Sequence, residues 1–210
     1  YIIDTCGQVA TGPVNFKTLS TSPPTVFLLE NWATGTTGWT LGNGGPNWQR
    51  RNTPTTSGST GPNGGTVAGT PTNGNYYVYL ETSTAAGQAD LTYNSTLDLS
   101  TFTNPEFSFW HHMYGAAMGT LELYLDTNNS GVFYNAWSLS GPQHFAGTDP
   151  FTRVTINLPS TVDTLAFKFT GIRGASFTSD MAVDDISYGE APNCPVPAIA
   201  WISNDFTSAV

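Results

Sequence analysis

Positive charge is the scarcest resource in these 210 residues: 6 Lys and Arg stand against 15 Asp and Glu, a net charge of −9. Six scattered cations cannot assemble the basic patch that nucleic acid or an anionic membrane surface requires, so no nucleic-acid partner is expected. Long apolar runs are also missing. No window approaches the ~20 consecutive apolar residues that span a bilayer, and membrane insertion is not expected. No basic start leading into an apolar stretch is present, so any signal peptide has already been removed. Charged residues reach only 10%, too few for many amphipathic helices.

Catalytic motifs are absent as well. The sequence holds no G-x-S-x-G, H-E-x-x-H, C-x-x-C or glycine-rich loop opening a helix. Its three histidines are His111, His112 and His144. Successive strand residues face opposite sides, so His111 and His112 cannot chelate one metal from a regular strand, and a structural role is expected for them. The chain is read as not an enzyme. Cysteine is limited to Cys6 and Cys194, near the two ends. They form one disulfide candidate, and each could equally pair elsewhere or stay free.

What the sequence does contain is turn formers and aromatics: 22 Gly, 14 Pro, 12 Phe, 9 Tyr and 6 Trp, with 39% hydrophobic residues. This is the profile of many short strands joined by turns around a sizeable core. Residues 1–25, with Pro13, Pro23 and Pro24, read as a lead-in with an edge strand near Val14–Leu19. Strands are expected at Val26–Glu30, Tyr76–Glu81, within Ala89–Leu99, at Val132–Leu139, Val154–Leu158, Leu165–Phe169 and Met181–Tyr188. The centre is Phe107–Asp126, where Phe107, Phe109, His111 and Met113 alternate in one run and Leu121, Leu123 and Leu125 in the next. The small residues Gly115–Gly119 between them read as a loop joining an antiparallel pair. Asn52–Asn75 reads as a long loop of the kind that is functional or disordered. From Ala191 the proline density marks a linker, and residues 191–210 read as that linker plus the start of a following module. Roughly ten short strands place residues 26–190 among all-β folds, as a jelly-roll β-sandwich of two antiparallel sheets.

Two groups of residues are candidate sites. Asp184 and Asp185 stand together in an otherwise apolar strand, where a buried carboxylate needs a cation or several donors. With Glu30 of the first strand they are candidate ligands for calcium, which takes about six to eight oxygens from carboxylates, carbonyls and water. The alternative places one Asp in solvent and the other as a cap on loop N–H groups. Trp32, Trp39, Trp48 and Trp137 are either core residues or, exposed on one face, platforms on which sugars stack.

The blocks Phe27–Glu30 with Trp39, Trp48-Gln49-Arg50, Thr60-Gly61-Pro62, Tyr77–Glu81, Ala89-Asp90-Leu91, Phe109–Gly115, Met118–Leu121 and Ala182–Ile186 follow one another in a recognisable order. From Phe27 to Cys194 the chain resembles the MAM domain, the extracellular module of meprin, the A-5 protein and receptor phosphatase mu. The sequence departs from animal versions in its shortage of cysteine and in Gly64-Gly65-Thr66, where Asp-His-Thr is frequent; in this it is similar to bacterial versions. The resemblance implies a jelly roll that is secreted or on the cell surface, non-catalytic, and part of a larger exported multidomain protein. It implies adhesion to a protein or glycan on a cell surface or matrix, contact with neighbouring modules of the chain, and calcium near the first and last strands. A carbohydrate-binding module appended to a secreted hydrolase is the alternative.

Overall fold

A computed structural model describes residues 25–191 apart from 43, 44, 68 and 73, together with the backbone of 2–3 and 9–10. Cys6, Cys194, the expected strand at Val14–Leu19 and the linker beyond residue 191 lie outside the described residues. Strands β1 (Ile2–Ile3) and β2 (Val9–Ala10) pair with each other and belong to a separate unit from Pro24–Ala191.

Pro24–Ala191 carries fourteen strands: β3 (Val26–Glu30), β4 (Trp39–Leu41), β5 (Asn47–Arg51), β6 (Gly65–Val67), β7 (Thr70–Thr72), β8 (Tyr77–Glu81), β9 (Gln88–Tyr93), β10 (Leu97–Asp98), β11 (Pro105–Met113), β12 (Thr120–Thr127), β13 (Tyr134–Ser140), β14 (Thr152–Asn157), β15 (Thr164–Ile172) and β16 (Met181–Glu190). They build a jelly-roll sandwich. The first sheet runs β14-β11-β16-β8-β5, with β3 also on β16; the second runs β13-β12-β15-β9-β4, with β10 also on β15. The strands expected within residues 25–191 are present. The additions are short: β4 and β5 lie in a stretch too polar to show alternation, and β6–β7 is a hairpin inside the long 52–75 loop.

Alternation decides which side chains meet. Phe107, Phe109, His111 and Met113 point from β11 into the sandwich, and Leu121, Leu123 and Leu125 do so from β12. Cross-sheet aromatic pairs hold the centre: Phe107 on Phe167 at 4.6 Å and Phe109 on Phe169 at 4.8 Å between ring centroids.

β11 and β12 are not an antiparallel pair, contrary to the sequence reading. β11 pairs with β14 and β16, and β12 with β13 and β15. The intervening loop carries the chain from one sheet to the other, so the two apolar faces oppose each other across the core instead of lying side by side. The loop locks there because Gly119 and Gly174 pass backbone to backbone: a Cβ on Gly119 would lie 1.9 Å from the Ile172 oxygen.

The outer face of the first sheet carries a second, smaller cluster of Tyr77, Tyr79, Phe151 and Ala182, with Trp110 against it. The β6–β7 hairpin and the 141–151 loop cover this face: Gly69 sits on the Trp110 ring, and the Phe151 N–H donates to the Gly69 oxygen at 2.6 Å.

Candidate functional site

The carboxylates singled out in the sequence lie where β3 meets β16. Glu30 stands opposite Ile186 in the register. A β-bulge displaces β16 against β11 between Asp184, which opposes Trp110, and Ser187, and Asp185 adopts φ +43° within it. The bulge lets Asp184 and Ile186 face opposite sides of the sheet with an additional residue between them.

Each carboxylate has its own environment. Asp184 is fully buried on the outer face and accepts from the N–H of Thr66 in the overlying hairpin and from the N–H of Asp185, both at 2.8 Å. Burial, joined by the charges of Asp185 and Glu30, pushes its pKa up to about 8 against those two hydrogen bonds. Burial likewise raises Asp185. Glu30 has both oxygens engaged, one by the Trp32 N–H at 2.6 Å and one by the Trp39 indole N–H at 3.1 Å.

Those contacts belong to a clamp on the turn after β3. Trp32 adopts φ +60°, its indole N–H donates to the Val183 oxygen at 3.2 Å, and its carbonyl accepts from Arg50 Nε at 2.5 Å. Arg50 in turn lies 3.3 Å over the Tyr76 ring.

Among the described residues, no three His, Cys, Asp or Glu side chains converge closely enough to hold a metal ion. Glu30, Asp184 and Asp185 are near enough to raise one carboxyl's pKa, yet they form no three-carboxylate cage, because Glu30 is turned to its Trp donors and the bulge separates the two Asp. The donor set fits a hard cation in one respect: a buried carboxyl surrounded by negative charge lacks a compensating cation.

Three of the four candidate tryptophans are core. Trp32, Trp39 and Trp48 are at most 8% exposed, and the Trp48 indole N–H donates to the Ala89 oxygen at 2.9 Å. Trp137 is half-buried against Phe109, 5.2 Å between centroids. The platform alternative is corrected for Trp32, Trp39 and Trp48, whose rings fill the sandwich and whose indole N–H groups find internal acceptors, while Trp137 stays partly exposed at its rim.

Two clusters escaped the sequence reading. Asp180, fully buried, accepts from the Thr82 N–H at 3.1 Å and hydroxyl at 2.8 Å, and its other oxygen has no partner. Burial raises its pKa to about 6, with the Glu81 charge adding to the rise. Nearby, Tyr79 donates to Glu81 at 3.0 Å, and burial pushes the Tyr79 hydroxyl up to about 12. The second cluster brings together all three histidines. His111 faces the core and His112 the outer face, as strand alternation requires, and the 141–151 loop lays His144 over His112 in a stack 4.2 Å between centroids. Chain neighbours signal neither cluster; both are made by loops returning over a sheet.

Comparison with known proteins agrees with this architecture. Residues 31–195 match the family model described as MAM domain, meprin/A5/mu. The rat MAM domain-containing glycosylphosphatidylinositol anchor protein 1 is 32% identical over 157 residues, 69% of this chain and 15% of the relative; its human counterpart is 30% identical over the same length. The chain therefore spans about 15% of the length of these curated relatives. Among solved structures, the K1 cleaved adhesin domain of Lys-gingipain from Porphyromonas gingivalis W83 shares the fold, with a TM-score of 0.52 and 18% identity over 80% of this chain and 99% of that one.

Proposed function

The chain belongs to the MAM domain family, and from that premise we propose that it serves as a non-catalytic adhesion and protein-interaction module of a larger exported protein. The observation that carries this reading is the family match over the sandwich itself, residues 31–195. The side-chain chemistry supports it: the histidines, Asp180, Asp184 and Glu81 are buried and hold loops onto a sheet. The module lies outside the cell or at its surface, and its partner is a protein on a cell surface or matrix, alongside neighbouring modules of its own chain. The relatives support that placement, since they are named as glycosylphosphatidylinositol anchor proteins. A glycan reading has lost Trp32, Trp39 and Trp48, three of the four tryptophans that supported it.

We further propose that calcium stabilises the module at the Asp184–Asp185 bulge. When bound, the ion supplies the positive charge that buried Asp184 and half-buried Asp185 lack. Asp184 holds the covering hairpin through Thr66, and Asp185 presents a second carboxylate from the bulge.

The test is surface plasmon resonance of the immobilised 210-residue chain against purified extracellular matrix proteins, with a glycan array and a peptide and glycan hydrolysis panel in parallel. Saturable binding to a matrix protein without turnover is expected. Glycan binding alone, or hydrolysis, would overturn the reading.

A further inference from the structure

The three histidines have an arrangement that adhesion does not require. His112 is completely buried on the outer face, and neither ring nitrogen has a hydrogen-bond partner. The His144 ring lies nearly parallel to it, 15° apart, and the His111 ring lies 5.8 Å from His144 edge-on. Met113 donates its backbone N–H to His144 Nδ1 at 2.9 Å. That nitrogen is therefore an acceptor, and the ring proton sits on Nε2, 3.3 Å from the Thr152 hydroxyl. The histidine is in effect the keeper of its loop, whose Gln143 and His144 N–H groups also donate to the Met113 oxygen.

We propose that His112 and His144 form an acid-released latch, which holds the 141–151 loop on the outer face of the first sheet at neutral pH and frees it on protonation. Protonating His144 puts a second N–H on Nδ1, so two donors face each other where one hydrogen bond stood. Protonating His112 puts a charge in a fully buried site against a second imidazole, a cost that the Ala146 backbone and Asp149 offset only in part. A like-charged pair stacked this closely is repulsive in a poorly solvated site. Burial and the neighbouring imidazoles hold His112 at about 3 and His111 at about 4, and burial lowers His144 too. The facing charged group from the loop is Asp149, which favours the protonated rings; His111 opposes them from β11. Tyr79 shares the His112 row two strands away, through Ala182, and burial keeps it neutral.

The loop carries cargo. Phe145 at its tip is 94% exposed, on a backbone fixed by Asp149, whose carboxylate accepts the N–H groups of Phe145 and Ala146. The Asn63 N–H donates to the Gly147 oxygen and the Phe151 N–H to the Gly69 oxygen, so the loop also braces the 52–75 covering segment. Acid release withdraws a rigid exposed aromatic and loosens the cover beneath it.

Hydrogen exchange of the full chain, read by mass spectrometry and corrected for the intrinsic pH dependence, tests the latch. Between pH 7 and pH 5, peptides covering 141–151 are expected to lose protection at least tenfold, while those from β11, β15 and β16 keep theirs. The variant His144→Asn, whose side-chain oxygen can accept from Met113 without titrating, is expected to stay protected. Unchanged protection in the wild type would overturn the latch. So would loss across the whole sandwich, or equal loss in a folded His144→Asn. NMR titration of the wild-type His144 ring gives an independent reading should the variant not fold: its midpoint must coincide with loop release, and a separate midpoint would overturn the coupling.

Discussion

Gly119 shows how narrowly a single residue can be specified. Any Cβ there would lie 1.9 Å from the Ile172 oxygen and 2.6 Å from the Gly174 nitrogen, both backbone atoms that cannot swing away. Gly119→Ala is therefore expected to destabilise the chain by about 3 kcal/mol, the upper part of the usual overpacking range, as read by chemical denaturation. A loss under 1 kcal/mol would mean that the crossing loop moves aside. Residue roles were partly legible in the sequence. Asp184 and Asp185 drew notice because two adjacent acids in an apolar strand are costly, and the raised pKa of Asp184 is the form that cost takes. Asp180 drew none, since its burial comes from Thr82 and from Thr60, whose hydroxyl accepts the Asp180 N–H, both supplied by distant segments. The tryptophans show the limit from the other side: a Trp in a Gly/Thr-rich stretch is ambiguous until its indole N–H is seen to meet a carbonyl.

At the scale of elements, alternation located the strands well and their pairing poorly. The β11 and β12 patterns state which side chains face inward but are silent on whether the strands share a sheet or oppose one another. Only the distant partners β15 and β16 decide that. The β6–β7 hairpin had no alternation to read, yet it carries the Thr66 N–H that Asp184 accepts. If a cation binds at this bulge, it stabilises the last strand and the hairpin above it together. A thermal melt is expected to show a higher Tm in millimolar calcium than in EDTA, by mass action on the folded state. The rise should vanish in a double variant carrying Asp184→Ala and Asp185→Ala. Equal Tm values in calcium and EDTA would leave Asp184 as a neutral cap on loop N–H groups.

For the whole molecule, a net charge of −9 and a sandwich with buried titratable groups make pH a global variable. His111 and His112 have folded pKa values of about 4 and about 3, below the ordinary imidazole value, and His144 is shifted the same way. The unfolded chain therefore binds more protons on these groups, so the stability present above about pH 6.5 is lost as pH falls toward 4. Asp180 and Asp184, raised to about 6 and about 8, act in the opposite sense: the stability they confer is greatest in acid and is lost as pH rises through those values. Asp185 is raised as well, so three imidazoles face three carboxylates and Tm is expected to change little between pH 6.5 and 4.5; a steep rise over that window would contradict the buried neutral histidines. The fold class of residues 25–191 was legible because composition, turn residues and alternation all point to short strands. The partner was not, because adhesion surfaces are made of exposed side chains that no core constrains.

The most direct measurement is a cell-adhesion count on surfaces coated with the full chain, native or heat-unfolded, in calcium and in EDTA. The adhesion account predicts that cells attach to the native coat in calcium, attach less in EDTA and do not attach to the unfolded coat. Equal attachment to native and unfolded coats, or none to either, would contradict it.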